Sequence, residues 1–580
     1  LQPIYDPRLG DVESDSSSPR KRSLLRLAGS LLAEISLPKL AAAWLLLIGL
    51  PGLLLGLAPI LASIWLGQLL GQVMAFQVEI WSALVLAALV ALALFSSRRL
   101  FRLAEHSFWS LNALAVQPFY AMCRETLRQL VEGRLAPGSP RLPMARSAAA
   151  MVAGLLISGV ALLVLVRVWP ATLVVGDLGM LDAPRRLARA AFANSAALVG
   201  AYVAVAALAW GVADATMDQP HDLEDFDPPP AEGDIWRIVH LSDIHVVGER
   251  YGFRIESGRA GPRGNERLKL VFERLEALHA QAPLHAIMIT GDVTDAGLSS
   301  EWAEFYDIVA RHPALAGLIA IAPGNHDLNI VDRSNPARLD LPMSPVKRLR
   351  KLRVLAAMGD IQGDRARVVD RVAGRMGGSL SAALAPHRRA IESFMDEGRP
   401  VFSAQLSDAW TRAFPLALAP ERDDGLGLIL LNSNADTHFS FTNALGMISL
   451  EQARAIDSVM AHYPKAHWAI GLHHHLVEYP RPATAMSERI GTALINGAWF
   501  VRRMQALAGR VIVMHGHRHI DWVGECGGLR IVSAPSPVMT RPDGGPPHFY
   551  VHRLAVGADG RLNLLRPERI ELGESAPPPA

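Results

Sequence analysis

The sequence predicts an α/β fold preceded by an all-α transmembrane region, and three features carry that prediction. Half of the 580 residues are hydrophobic and only 19% are charged, an apolar excess for a chain of this length, and the excess is concentrated in the first 215 residues. Beyond about residue 235, short β-like runs alternate with helical patterns, as an α/β fold requires. Between the two textures, residues 214–234 (DATMDQPHDLEDFDPPPAEGD) are acidic and proline-rich and read as a linker.

Residues 1–37 are polar and then basic, with Arg20, Lys21, Arg22 and Arg26. Apolar stretches follow at roughly 40–70, 80–97, 148–168 and 193–213. Crossing a bilayer takes about 20 apolar residues, so residues 38–213 are expected to form about four transmembrane helices. A buried soluble helix is the rival reading of any one stretch, and the clustering of four weighs against it. Gly49, Pro51, Gly52, Gly56 and Pro59 interrupt the first, which reads as one kinked span or a broken pair. The first apolar run starts late for a cleavable signal peptide.

Basic residues place the loops. The 71–79 connection has no Lys or Arg, whereas residues 98–146 carry Arg98, Arg99, Arg102, Arg124, Arg128, Arg134, Arg141 and Arg146. That pattern reads as inside, outside, inside; Arg185, Arg186 and Arg189 in the next loop run against an outside placement. Four spans make a multi-pass integral protein of a bacterial inner membrane, with the α/β region on the cytoplasmic side. The net charge of +2 gives no field that would attract nucleic acid, so no nucleic-acid partner is expected. Two cysteines, Cys123 and Cys526, exclude a disulfide framework and a cysteine-rich zinc site.

In the α/β region, predicted strands run into metal-capable side chains. IWRIVHL leads to Ser242-Asp243-Ile244-His245, and HAIMIT to Gly291-Asp292-Val293-Thr294-Asp295. LIAIA leads to Pro323-Gly324-Asn325-His326-Asp327, HWAIGL to His473-His474-His475, and RVIVMH to Gly516-His517-Arg518-His519. LGLILLN and LRIVSA complete the strand set, with Asn432-Ser433-Asn434 as a polar turn at the crevice edge. On an extended chain, positions i and i+2 face one side, so Asp243 and His245 can grip one ion, as can His517 and His519. Gly291 lets the backbone turn so that Asp292 points into the crevice where open α/β sheets collect ligands. Asn325, His326 and Asp327 offer an amide oxygen, an acid or base, and a carboxylate to orient it. Each motif alone is most simply an ordinary polar turn. Five in order, each at a strand end, are not. Their N and O donors suit Mn, Fe, Zn or Co, and they exceed the needs of a single four-coordinate zinc.

The ordered set SDIH, GDVTD, GNHD, HHH and GHRH resembles the calcineurin-like metallophosphoesterase superfamily over residues of about 235–555, with its closest likeness to the cyclic-nucleotide and glycerophosphodiester phosphodiesterase branch. The resemblance implies a two-sheet β-sandwich flanked by helices over 235–560, with a helical insertion at about 331–420 and a C-terminal tail at 561–580. It implies two divalent ions, one held by Asp243, His245, Asp292 and His519, the other by Asp292, Asn325, His473 and His517, with Asp292 shared. His326 would sit beside the leaving oxygen, with Asp327 orienting it. The proline that often follows the histidine run in this family is missing, which leaves His473 and His474 both open as the ligand; His473, first after the strand, is preferred.

The implied activity is hydrolysis of phosphodiester or phosphomonoester bonds by a hydroxide bridging the two ions. No G-x-S-x-G elbow supplies a protein nucleophile. Nucleotides, glycerophosphodiesters and lipid head groups are the candidate substrates, and membrane lipid a partner. A lipid-linked nucleotide pyrophosphatase is a second reading; that branch tends to carry Arg where this chain has His326. A catalytically silent membrane sensor or binding module is a third, although such copies usually lack ligands and none is missing here. In the insertion, residues 346–353 (VKRLRKLR) read either as a membrane-facing or capping helix, gaining about 1 kcal/mol per basic residue near anionic lipid, or as a solvated helix face.

Overall fold

The computed structural model describes residues 50–75, 116–135, 139–231, 233–248, 264–329, 345–370, 374–389, 404–437, 442–480, 494–539 and 545–573, with a few single residues besides. The chain divides at Met217/Asp218 into two units. The first contains α1 (Leu50–Ala75), α2 (Gln117–Glu132), α3 (Leu142–Val168) and α4 (Pro184–Ala215). Segments Leu50–Gln68, Leu142–Ala171 and Pro184–Ala215 are long and apolar enough to cross a membrane, by length and composition. The stretch at 80–97 lies outside the described residues. Within its described span the first stretch is neither broken nor paired: α1 runs on through Pro59. Pro51 sits in the first turn, where its missing N–H costs nothing. Small residues set the helix contacts: a Cβ on Gly154 of α3 would meet the Ala207 carbonyl of α4 at 2.7 Å, the close approach typical of membrane helices. Buried Asn194 of α4 ties this unit together, accepting from Leu173 N (2.8 Å) and donating to the carbonyls of Leu173 (2.7 Å) and Gly56 (3.1 Å).

The second unit is built on fourteen described strands: β1 (His221–Asp222), β2 (Ile235–Leu241), β3 (Ala286–Ile289), β4 (Ile319–Ile321), β5 (Ala366–Asp370), β6 (Arg375–Ser379), β7 (Leu416–Leu418), β8 (Leu426–Leu430), β9 (His467–Gly471), β10 (Val511–His515), β11 (Trp522–Cys526), β12 (Leu529–Ser533), β13 (His548–Val556) and β14 (Leu562–Glu571). They form one sheet ordered β1-β11-β12-β10-β9-β8-β7-β5-β6 and another ordered β14-β13-β2-β3-β4. Each apolar run singled out in the sequence carries a strand. β3, β4, β9 and β10 are buried at every position, which is why they read as unbroken hydrophobic runs rather than alternating ones. The sheets share one core, in which Met288 and Met514 meet Ala469 and Ile238. Helices α5 (Gly264–Gln281), α6 (Ser299–Ala310) and α8 (Leu450–His462) each turn an apolar stripe to the strands. Because β2, β3 and β4 are mutually parallel, as are β8, β9, β10 and β12, the C-terminal ends of each set collect together.

Three segments differ from expectation. Residues 218–234 are not a free linker but a strap along the second unit. β1 adds to the sheet edge at β11, Leu223 and Phe226 pack on the core, and Asp227 takes both guanidinium nitrogens of Arg530 as well as Leu564 N at 2.8 Å. Acidic and proline-rich composition hid these anchors. Asp227→Ala leaves a part-buried Arg530 without its acid and should cost about 2 kcal/mol. Thermal unfolding should show a loss of about 3 °C; an unchanged midpoint would mean the strap is not a structural element.

The 331–420 insertion is not purely helical. Its described part includes β5 and β6, which extend the nine-stranded sheet. Its basic helix α7 (Pro345–Gln362) is neither a solvated face nor a membrane-facing one. Lys347, Arg350 and Arg353 are buried: Lys347 pairs with Asp436 at 2.7 Å, Arg353 donates to the Gly297 carbonyl at 3.0 Å, and Val354, Leu355 and Met358 join the core. Nor are residues 561–571 part of a tail, since β14 pairs with β13 through Glu571; residues 574–580 lie outside the described residues. Pro567 disguised the strand, and an edge strand tolerates proline.

Candidate metal centre

The loops leaving β2, β3 and β10 hold their side chains by an unusual backbone. Among the described residues, five other than glycine have positive φ: Asp243 (56°), His245 (48°), Asp292 (51°), His517 (75°) and His519 (53°). All five are residues singled out as ligands. Each left-handed residue costs on the order of 1–2 kcal/mol, so the surrounding packing must enforce them. The extended-chain argument for Asp243 with His245, and for His517 with His519, therefore gives way to another geometry. These residues lie beyond the strands, and successive left-handed turns, not the β pleat, aim them inward.

The seven side chains meet. Ligand-capable atoms of Asp243, His245 and His519 lie within 4.8 Å of one another, as do those of His245, Asp292 and His326, and those of Asp292, His473 and His517. Within these groups His519 Nε2 is 3.1 Å from Asp243 Oδ1, His245 Nε2 is 3.7 Å from Asp292 Oδ2, and His473 Nε2 is 3.3 Å from Asp292 Oδ2. Asn325 Oδ1 is 2.9 Å from His473 Nε2, and His517 Nδ1 lies 3.0 Å from the same nitrogen. All but His519 are buried. Gly324 makes the convergence possible: a Cβ there would collide with Asp292 N and Oδ1. Gly324→Ala should thus displace the Asn325 turn from Asp292, lower metal stoichiometry and reduce turnover by on the order of 10². Full metal content and full rate in that variant would show the close approach to be dispensable.

His326 is held differently from expectation. Its Nδ1 bonds the Asp295 backbone carbonyl, which only accepts, so Nδ1 carries the proton and Nε2 is turned to the cluster. Its backbone N–H donates to Asp292 Oδ1 at 2.7 Å. Asp327 does not orient the ring. Its Oδ1 accepts from Thr294 N (2.9 Å) and Thr294 Oγ1 (2.7 Å), and its Oδ2 from Gly324 N (2.9 Å). It pins the β3 and β4 loops to each other.

Charge explains much of the electrostatics. Burial opposes ionisation of Asp243 and Asp292, yet neighbouring imidazoles win: His519 holds Asp243, and His473 with His326 holds Asp292, well below the usual carboxylate range. Burial pulls His473 down, but Asp292 outweighs it and lifts the ring to about 9. Burial, then Asp292, raise Asp327 to about 6 against its three hydrogen bonds. Two carboxylates and a ring of nitrogens thus form a pocket that draws in positive charge.

The remaining histidines separate by position. His474 Nδ1 is 2.9 Å from Ser433 Oγ and its ring lies against Gly446, whereas His473 Nε2 faces Asn325, Asp292 and His517. Ser433 also accepts from the N–H groups of His473 (3.2 Å) and His474 (3.1 Å). The sequence reading left Ser433 as a turn residue and gave Asp295 no task; only the alternation of polar residues after each strand hinted at either. Thr290, whose carbonyl lies 2.8 Å from His473 Nδ1, gave no signal at all.

Residues 237–402 match the calcineurin-like phosphoesterase family. Among solved structures the chain is similar to a dimetal phosphatase from Danio rerio, at 10% identity and a TM-score of 0.31 over 58% of this chain and 98% of that one. It is also similar to a candidate 5′-nucleotidase from Staphylococcus aureus in complex with α-ketoglutarate, at 11% identity and a TM-score of 0.28 over 59% of this chain and 55% of that one. No curated protein matches the chain. Residues 237–402, within the second unit, are a calcineurin-like phosphoesterase domain.

Proposed function

We propose that the chain is a membrane-anchored enzyme that hydrolyses phosphodiester or phosphomonoester bonds at a pair of divalent ions, Mn, Fe, Zn or Co. The observation that carries this reading is the overlap of three donor groups through shared His245 and Asp292. Asp243, His245, Asp292 and His519 would hold one ion, and Asp292, Asn325, His473 and His517 the other. The donor set fits. His473 Nε2 stands within 3.3 Å of three other donor atoms, and buried His517 Nε2 has no hydrogen-bond partner. One proton cannot satisfy that crowd of lone pairs, and cations can. His473 is favoured over His474 because its Nε2 stands beside Asn325, Asp292 and His517, whereas His474, whose ring also lies near His517, has its Nδ1 at Ser433. The ions, when bound, supply Lewis acidity that activates water and offsets charge on the phosphoryl oxygens.

The chain's own groups do the rest. His326, fixed through Nδ1, presents Nε2 to the leaving oxygen and, as the imidazolium, delivers the Nε2 proton there, which leaves a neutral ring protonated on Nδ1. Asp327 is a positioning residue: it keeps the Asn325–His326 turn against Thr294. The helices of the first unit anchor the enzyme, and Arg98, Arg99, Arg102, Arg134 and Arg141 support a cytoplasmic placement of the second. Nucleotides, glycerophosphodiesters and lipid head groups are the substrate classes. The full chain, stripped of metal and reloaded with Mn, should bind two equivalents and turn over bis-p-nitrophenyl phosphate. Bound metal without turnover would make it a binding module, and a single equivalent would end the two-ion assignment.

A further inference from the structure

Helix α2 is built inside out. Its charged residues turn toward α3 and α4, and its outward stripe is apolar. Tyr120 Oη donates to Asp214 Oδ2 at 3.0 Å, in the last turn of α4. Arg124 pairs with the same carboxylate and, at 2.8 Å, with Glu125. Arg128 reaches Glu125 at 3.1 Å, and Arg146 of α3 reaches Glu132 at 2.7 Å. Three arginines thus meet three acids, and Glu125 and Asp214 are almost completely buried. On the opposite side Phe119, Met122 and Leu130 are 56%, 50% and 52% exposed. With Thr126 they sit at the three- and four-residue spacing of one helix stripe.

In water this arrangement is the wrong way round. It leaves large apolar side chains wet and desolvates ion pairs that surface exposure would accommodate. Against hydrocarbon it is the right way round, since charges in a membrane segment belong on the protein side, paired. Helix α3 likewise exposes apolar side chains, Met144 (71%) in its first turn and Leu155, Leu156 and Leu163 in its body. We infer that α2, too short and too charged to be a span, is seated in the lipid bilayer by its Phe119–Met122–Thr126–Leu130 stripe, with the Arg124–Asp214–Glu125–Arg128 network as its protein-side lock. The inference rests on the membrane reading of α3 and α4.

Fluorescent labelling of the full chain in phospholipid vesicles tests it. In a chain carrying Cys123→Ser and Cys526→Ser, single changes Met122→Cys, Leu130→Cys and Leu163→Cys each take an environment-sensitive label. Thermal unfolding verifies that every variant stays folded. Lipid-attached nitroxide should quench the labels at 122 and 130 severalfold more than aqueous iodide does, as it should the label at 163. Iodide quenching at 122 and 130 would overturn the inference by placing the stripe in water. Quenching there by neither agent would overturn it too, by showing that protein, a second copy or another part of the chain, covers the stripe. Loss of lipid quenching at 163 would instead overturn the membrane reading beneath it.

Discussion

Asp292→Ala removes both metal equivalents and lowers turnover by on the order of 10³-fold or more. No other side chain stands so centrally: its Oδ2 is 3.7 Å from His245 and 3.3 Å from His473, and its Oδ1 accepts from His326 N at 2.7 Å. Deleting it takes an anion from both donor groups and leaves Asp243 as the one carboxylate among the assigned ligands. Stability separates this loss from misfolding. A ligand that binds only the folded state stabilises it by about 2.7 kcal/mol at a hundredfold excess over Kd. The wild type should therefore gain melting temperature with Mn, and the variant should not, while the two metal-free forms unfold at similar temperatures. Asp292→Asn refines the test, because its amide oxygen still accepts from His326 N while the charge is gone. Elemental analysis after gel filtration reads the outcome; two equivalents retained by Asp292→Ala would sink the shared-carboxylate arrangement.

The strands and the candidate ligand residues were legible for one physical reason. A strand buried on both faces must be written as an uninterrupted apolar run, and the polar residues that end it stand out against it. IWRIVHL-SDIH and RVIVMH-GHRH are therefore visible without any structure. What happens within a loop is not. The left-handed conformations of Asp243, His245, Asp292, His517 and His519 have only a weak marker in residue type: Asp and His are enriched among non-glycine residues there, but the conformation is uncommon for either and glycine is its ordinary signal. The partner of His326 was equally hidden. Asp327 is adjacent in sequence and suggested the orienting role, yet a carbonyl 31 residues upstream takes it. Composition misled where a few anchors outweigh a polar average, as with Leu223, Phe226 and Asp227 in the strap. It misled again in α7, whose basic run looks like a surface although Lys347 and Arg353 are buried, the one reaching out to Asp436 and the other bonded to the Gly297 carbonyl.

His326→Gln keeps both metal equivalents but slows turnover by on the order of 10²–10⁴-fold. The residue belongs to the middle donor group, which joins the other two through His245 and Asp292, yet the assigned ligand sets are complete without it. Its proposed work is proton delivery from Nε2, which glutamine fills in shape but cannot perform. The deficit should therefore depend on the leaving group. A nitrophenolate departs without a proton, so a nitrophenyl ester should lose least; an alkyl ester, whose alkoxide must be protonated, should lose most. A purely structural role predicts equal losses for both. The orienting geometry adds a second contrast. Asp295→Asn preserves the carbonyl that holds Nδ1 and should leave the leaving-group dependence as in the wild type. Asp327→Asn puts an amide where only acceptors fit, against Thr294 N or Gly324 N. It should loosen the turn and slow both esters alike. Equal losses for aryl and alkyl esters in His326→Gln would remove this residue from proton transfer.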